Sequence, residues 1–162
     1  MNTPMPQSAF AGQSAALPRS NRPEFIHRHI VCFEETNLVG NVYFVRHLAW
    51  QGRCREMFLR EHAPSVLDAL ADDLRLVTLR VECEYFEEFR AFDTVEIRMR
   101  LARQTGHRIA LDFDYHLVRP ERPPAIAARG AQEIGCMRDT PAGLVTTEVP
   151  PALLAALQPY AN

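Results

Sequence analysis

Apolar and polar residues alternate along three stretches of the chain. Val77, Leu79, Val81, Cys83 and Tyr85 alternate with Thr78, Arg80, Glu82 and Glu84. Val95, Ile97, Met99 and Leu101 alternate with Glu96, Arg98 and Arg100, and Ile109, Leu111, Phe113, Tyr115 and Leu117 with a row that includes Asp112, Asp114 and His116. A period of two sends successive side chains to opposite faces, so each stretch predicts a half-buried strand. Phe25 to Phe33 is β-branched and aromatic and predicts a first strand. Ala125 to Met137 predicts a last one, whose Ala127, Ala128, Gly130 and Ala131 allow close backbone approach. Gln104 to His107 supplies a turn, and Arg119 to Pro124 a proline-rich loop. Glu34 to Gly40 breaks the first strand as a loop. From Asn41 to about His62 apolar residues recur at helical spacing without proline, which predicts a helix of about five turns ended by Pro64. Val66 to Asp73 is a short irregular or helical piece, and Pro150 to Leu157 a short terminal helix.

Long consecutive strands with one apolar face, and one long helix to cover it, predict an α+β architecture. One curved five-stranded antiparallel sheet wraps around a long central helix. Such a unit leaves strand edges open, which predicts a homo-oligomer, a dimer or a dimer of dimers, with edges paired between copies. Residues 1–23 are rich in Pro, Ser, Gln and Ala and are expected to form a disordered tail. Residues 24–162 are then a single domain.

Composition agrees with a globular chain: 47% hydrophobic, 23% charged, formal net charge −2. The basic residues form no run, so no nucleic acid or membrane partner is implied. Cys32, Cys54, Cys83 and Cys136 form no C-x-x-C pair, so no zinc or redox motif is visible; Cys83 and Cys136 fall in strand-like runs, where buried reduced thiols are common. No metal and no cofactor is expected. A disulfide framework is not expected either, and with no signal peptide or long apolar span the compartment expected is the cytoplasm.

At about 100° per residue, Phe44, Val45, Leu48, Gln51, Gly52, Arg55 and Leu59 share one stripe of the helix. Arg46, Arg53 and Arg60 lie on the opposite side together with Trp50 and Met57, where solvent or a subunit contact is expected. Arg55 is the exception, a guanidinium on the core side. It either pairs with a core carboxylate or snorkels from the stripe's edge, or else it points into a polar cavity where its fork can hold a carbonyl or carboxylate.

The loop before the helix is a second candidate. Backbone N–H groups at a helix start favour a developing oxyanion, and Gly40 permits close approach. Two plainer roles compete: Asn37 as a turn former and Asn41 as the helix N-cap.

The segment EETNLVGNVYFVRHLAWQGRCREMFL resembles the active-site segment of hotdog thioesterases of the 4-hydroxybenzoyl-CoA thioesterase type, which carry a strand, an Asp-x-x-Gly-x-Val-aromatic-aromatic loop and the central helix. Asn37, Gly40, Val42, Tyr43 and Phe44 match, with Asn37 where that type has Asp. This substitution, with Trp-Gln-Gly-Arg-Cys-Arg-Glu on the helix, looks like the thioesterases of enediyne polyketide biosynthesis. The resemblance implies release of a polyene β-ketoacyl chain from the acyl carrier domain of an iterative polyketide synthase, followed by decarboxylation. It implies Asn37 and Arg55 as the catalytic pair and the Phe44 N–H as oxyanion donor, with Gly40, Asn41, Tyr43 and Leu48 lining the substrate. An amide is no base at neutral pH, so Asn37 is expected to orient and not to deprotonate. Two alternatives share the fold: a general acyl-CoA thioesterase, and a non-catalytic module that binds the acyl chain.

Overall fold

The computed structural model describes residues 22–162. Apart from Arg22 and Pro23, the tail expected over residues 1–23 therefore lies outside the described residues. The elements run β1 (Phe25–Ile30), a 3-10 turn (Phe33–Glu35), α1 (Val45–His62), α2 (Pro64–Ala71), β2 (Leu74–Tyr85), β3 (Thr94–Gln104), β4 (Arg108–Arg119), β5 (Arg122–Thr140), β6 (Gly143–Thr146) and α3 (Pro151–Leu157). All pairings between strands are antiparallel. The order across the sheet is β1-β3-β4-β5-β2, with β6 paired to β5. The five expected strands and the covering helix are all present, and the arrangement is that of a hotdog fold.

Several expectations shift. The first strand ends at Ile30, and Phe33 enters the 3-10 turn. The helix begins at Val45, four residues later than Asn41, because Asn41 and Val42 form bridges to Arg90 and Thr36. Pro64 ends α1 and also opens α2, where its missing N–H costs nothing. The proline-rich loop is reduced to a tight turn, since β4 runs to Arg119 and β5 starts at Arg122. β6 is an addition: four residues that pair with the end of the 19-residue β5.

The inner rows of β3 and β4 form the core. Val95, Ile97, Met99, Leu111, Phe113, Tyr115 and Leu117 are all at most 1% exposed. They pack under Cys54, Phe58 and Leu59 of α1, and Phe58 meets Phe25 edge-on at 5.4 Å. The inner row of β2 behaves differently. A register shift between Thr78 and Arg80 bulges the strand at Leu79 and breaks the expected row: Thr78 stands opposite buried Ile134 before the bulge, Val81 opposite buried Gln132 after it, and Leu79 turns onto Gly135; Leu79, Val81 and Tyr85 stay 48%, 39% and 44% exposed. β2 is an edge strand whose large apolar side chains are left partly uncovered by the described residues. All four cysteines are free, with Cys54 and Cys136 buried, Cys83 half-buried and Cys32 exposed. No described helix is long and apolar enough to cross a membrane.

Candidate active site

The loop from Cys32 to Phe44 is held by its own backbone. The Asn37 N–H donates to Asn41 O at 2.8 Å and the Gly40 N–H to Asn37 O at 3.0 Å. The Val39 N–H donates to the Asn37 side-chain oxygen at 3.0 Å, so Asn37 does form the turn. That leaves the two N–H bonds of its amide as the groups it can offer a ligand. Gly40 has φ +89°, a conformation side chains rarely adopt. Asn41 is not the helix N-cap; its Nδ2 donates to Glu88 Oε1 at 2.7 Å. Phe44 occupies the cap position, already in helical conformation and without a side-chain cap.

At that helix start the donors divide. The Tyr43 N–H donates to Glu35 O and the Arg46 N–H to Tyr43 O, both at 2.9 Å. Among the described residues the Phe44 and Val45 N–H groups have no acceptor. The Phe44 carbonyl is pinned by the Tyr85 hydroxyl at 3.0 Å and by His47 Nδ1 at 3.2 Å. Because a carbonyl only accepts, His47 carries its proton on Nδ1. Burial among Trp50, Tyr85, Phe89 and Tyr115 pushes the His47 pKa down to about 4, against a small upward pull from the Phe44 carbonyl. The first turn of the expected stripe is not covered: Tyr43, Phe44 and Val45 are 47%, 54% and 40% exposed, next to Leu38 and Val39 at 103% and 82%.

Further along α1, Leu48 is half-buried and Gln51 fully buried. The Gln51 amide lies over Gly130 so closely that a Cβ there would sit 2.0 Å from its nitrogen. Its Nε2 donates to Glu82 O at 2.9 Å, while its Oε1 is buried without a partner. One turn on, Arg55 donates to Gln132 Oε1 at 3.3 Å and forms no ion pair among the described residues. The core-carboxylate alternative for Arg55 is thereby removed. Burial lowers its pKa, and the charge of Glu56 offsets this only in part. A guanidinium stays charged regardless, so this one stands half-buried with an amide as its counterpart.

Arg53 and Arg60 are exposed and Arg46 partly so, as their side of the helix predicts. Trp50 corrects the same prediction. It is 1% exposed, because the 3-10 turn and Phe89 cover that flank of α1 and Glu35 accepts its indole N–H at 2.7 Å. Met57 is half-buried. Sequence reasoning missed Gln132 and Glu35. Gln132 had a signal, being a polar residue at an inward position of β5, whereas Glu35 looked like ordinary loop polarity.

Along α1 the helix start and Arg55 stand apart. Arg55 lies eleven residues beyond Phe44, about 16 Å along the helix axis at 1.5 Å per residue. A groove of about 290 Å³ opens elsewhere, beside Arg103, His107, Arg108 and Glu133 at the opposite end of β3. Among the described residues no cluster of His, Cys, Asp and Glu has the makings of a metal site.

The thioesterase-like superfamily model matches residues 31–157. Among solved structures, a dynemicin thioesterase described with polyene binding is 53% identical, with TM-score 0.84 over 86% of this chain and 99% of its own. A 1,4-dihydroxy-2-naphthoyl-CoA thioesterase from Synechocystis is 18% identical, with TM-score 0.74 over 84% of this chain and 96% of its own. A 4-hydroxybenzoyl-CoA thioesterase complexed with 4-hydroxybenzoyl-CoA is 10% identical, with TM-score 0.74 over 83% and 98%. No curated protein matches the chain. Fold, family model and the 53% identical neighbour agree: the chain belongs to the thioesterase-like superfamily and is a thioester hydrolase.

Proposed function

We propose that the chain hydrolyses a polyene β-ketoacyl thioester presented by the acyl carrier domain of an iterative polyketide synthase of the enediyne type. The observation that carries this is Arg55: a half-buried cation with no carboxylate partner among the described residues, on a helix whose start has two N–H groups without an acceptor among those residues. Arg55 of one copy set beside the helix start of another fits a substrate with two oxygens that gather negative charge, the thioester oxygen and the β-keto oxygen. The relative at 53% identity, described with polyene binding, supports the chain type.

Water adds to the thioester carbonyl, and the oxyanion is held by the Phe44 N–H. The Asn37 amide donates to the carbonyl or orients the water. The carbon–sulfur bond breaks, the carrier thiol leaves with a proton from the water, and a β-keto acid is released. Its carboxyl group then leaves as carbon dioxide, with Arg55 holding the enolate oxygen until the α-carbon takes up a proton and a methyl ketone remains. Gly40, Asn41, Tyr43 and Leu48 line the approach. The reaction relies on positioning and electrostatics in place of a strong base.

The axial separation of about 16 Å between Phe44 and Arg55 in one chain supports a site shared between two copies. We assign the contact to the open edge of β2 and the exposed apolar surface around Leu38, Val39, Tyr43 and Phe44. Asn37→Ala and Arg55→Ala are each expected to cut β-ketoacyl thioester hydrolysis by about 10²-fold with the fold intact; full activity in both removes the pair. Refolding the two variants together restores activity if one copy supplies Asn37 and the other Arg55. No recovery places both on the same chain.

A further inference from the structure

Glu35 is 4% exposed, and its carboxylate receives three donors from three parts of the chain. Trp50 Nε1 of α1 donates at 2.7 Å, His29 Nε2 of β1 at 2.7 Å, and the Cys32 N–H at 2.9 Å. The Glu35 backbone carbonyl accepts the Tyr43 N–H at 2.9 Å. One residue thus ties the scaffold to both arms of the loop, two positions before Asn37 and next to the turn that presents Phe44. Arg53 extends the chain: its guanidinium donates to His29 Nδ1 at 3.3 Å, which leaves the imidazole proton on Nε2, facing Glu35.

We infer that Glu35 is a positioning residue, whose buried carboxylate clamps the Cys32–Phe44 loop against α1 and β1 and so sets where the Asn37 amide and the Phe44 N–H stand. The geometry also says what Glu35 does not do. Burial pushes its pKa up, but the bonds from Cys32, Trp50 and His29 outweigh this and hold it below the usual carboxylate value. Its oxygens are committed to three donors, so it is not a spare base for the carboxylate missing at Asn37. Trp50 and Arg53, which the helix pattern assigned to solvent or a subunit contact, join His29 in one relay of hydrogen bonds.

The inference rests on the proposed roles of Asn37 and Phe44, and a mutant cycle separates the two. Glu35→Gln keeps the size but supplies one acceptor where two are used. It is expected to lower kcat for a β-ketoacyl thioester by about 10²-fold, with KM changed little. In the Asn37→Ala background the same change is expected to cost much less, since the positioned group is already gone, while its effect on Tm persists. Wild-type kcat in Glu35→Gln overturns the clamp. A fully additive loss in the double variant overturns it as well, because Glu35 then acts independently of the loop. Asn37→Ala with full activity removes the catalytic pair instead, and a kcat loss in Glu35→Gln then reports positioning of the Phe44 N–H alone. Should Glu35→Gln fold poorly, His29→Gln and His29→Leu read the same relay from β1. Gln retains a donor toward Glu35 and Leu does not, so His29→Gln should keep several-fold more kcat than His29→Leu. Equal kcat in those two overturns the clamp.

Discussion

On the outer face of the sheet, Arg98 and Arg100 each bridge two carboxylates, Glu24 with Glu96 and Glu24 with Asp114. On the inner face Arg55 has one amide oxygen, and Gln51 keeps a buried oxygen without a partner. The registers explain the outer face: Arg98 lies opposite Asp114 and Asp114 opposite Arg129, so opposite charges are cross-strand neighbours. The inner face sacrifices such pairing along the Phe44–Arg55 stripe. Unsatisfied groups are costly where they are buried. The outer face leaves one such atom, Arg98 Nε, inside a network of ion pairs, whereas Gln51 Oε1 and the Arg55 guanidinium lie along the middle of α1 with no carboxylate paired to them among the described residues.

The largest expected effect separates the two faces directly. Arg55→Met should reduce β-ketoacyl thioester hydrolysis by about 10²- to 10³-fold while thermal stability holds or rises by about 1 kcal/mol, since an uncompensated charge is removed. A fall in Tm of several degrees would instead make Arg55 a structural cation. A second test targets His47, whose ring holds the carbonyl of Phe44, the residue proposed as oxyanion donor. The unfolded chain takes up a proton at a pKa near 6.5 and the folded chain only near 4. Stability from this group is therefore complete above pH 6.5 and falls toward pH 4, in all by on the order of 3 kcal/mol. In His47→Phe that acid loss should shrink by a similar amount, as measured by urea unfolding across the range. Next in size is Arg100→Met, which strips Glu24 and Asp114 of a shared partner. It should cost about 2 kcal/mol of stability and leave hydrolysis within a factor of about two.

What the sequence made legible follows the same division. The inner rows of β3 and β4 were readable because the chain's own helix covers them, so apolar character and burial coincide. Leu79, Val81 and Phe44 carry the same character and stay exposed, because no described element lies over them. Arg55 stood out from helical phase alone, as a charge among apolar neighbours. Trp50 did not, since phase assigns a residue to a side of the helix but cannot say that the 3-10 turn folds back over that side. The late start of α1 was hidden for a related reason: Asn41 and Val42 have nothing against helix except the bridges they make to distant partners. Gln132 was visible only as a polar residue out of phase in β5, and its meaning needed Arg55 opposite it.

The smallest effect expected is at Arg80, and it tests how far the outer face is free of function. Arg80 and Glu82 form an ion pair at 2.5 Å with side chains 70% and 53% exposed. Pairs in water contribute little because solvent screens the attraction and two long side chains must be ordered. Arg80→Ala should change stability by no more than about 0.5 kcal/mol and leave hydrolysis unaltered. Yet β2 is the strand assigned to the contact between copies, and Glu82 also lends its backbone carbonyl to Gln51. A loss well above that size, seen by denaturant unfolding only at concentrations where copies associate, would move the outer side of β2 from solvent into the interface. The charged face would then be divided, with its centre paired within one chain and its edge paired between two.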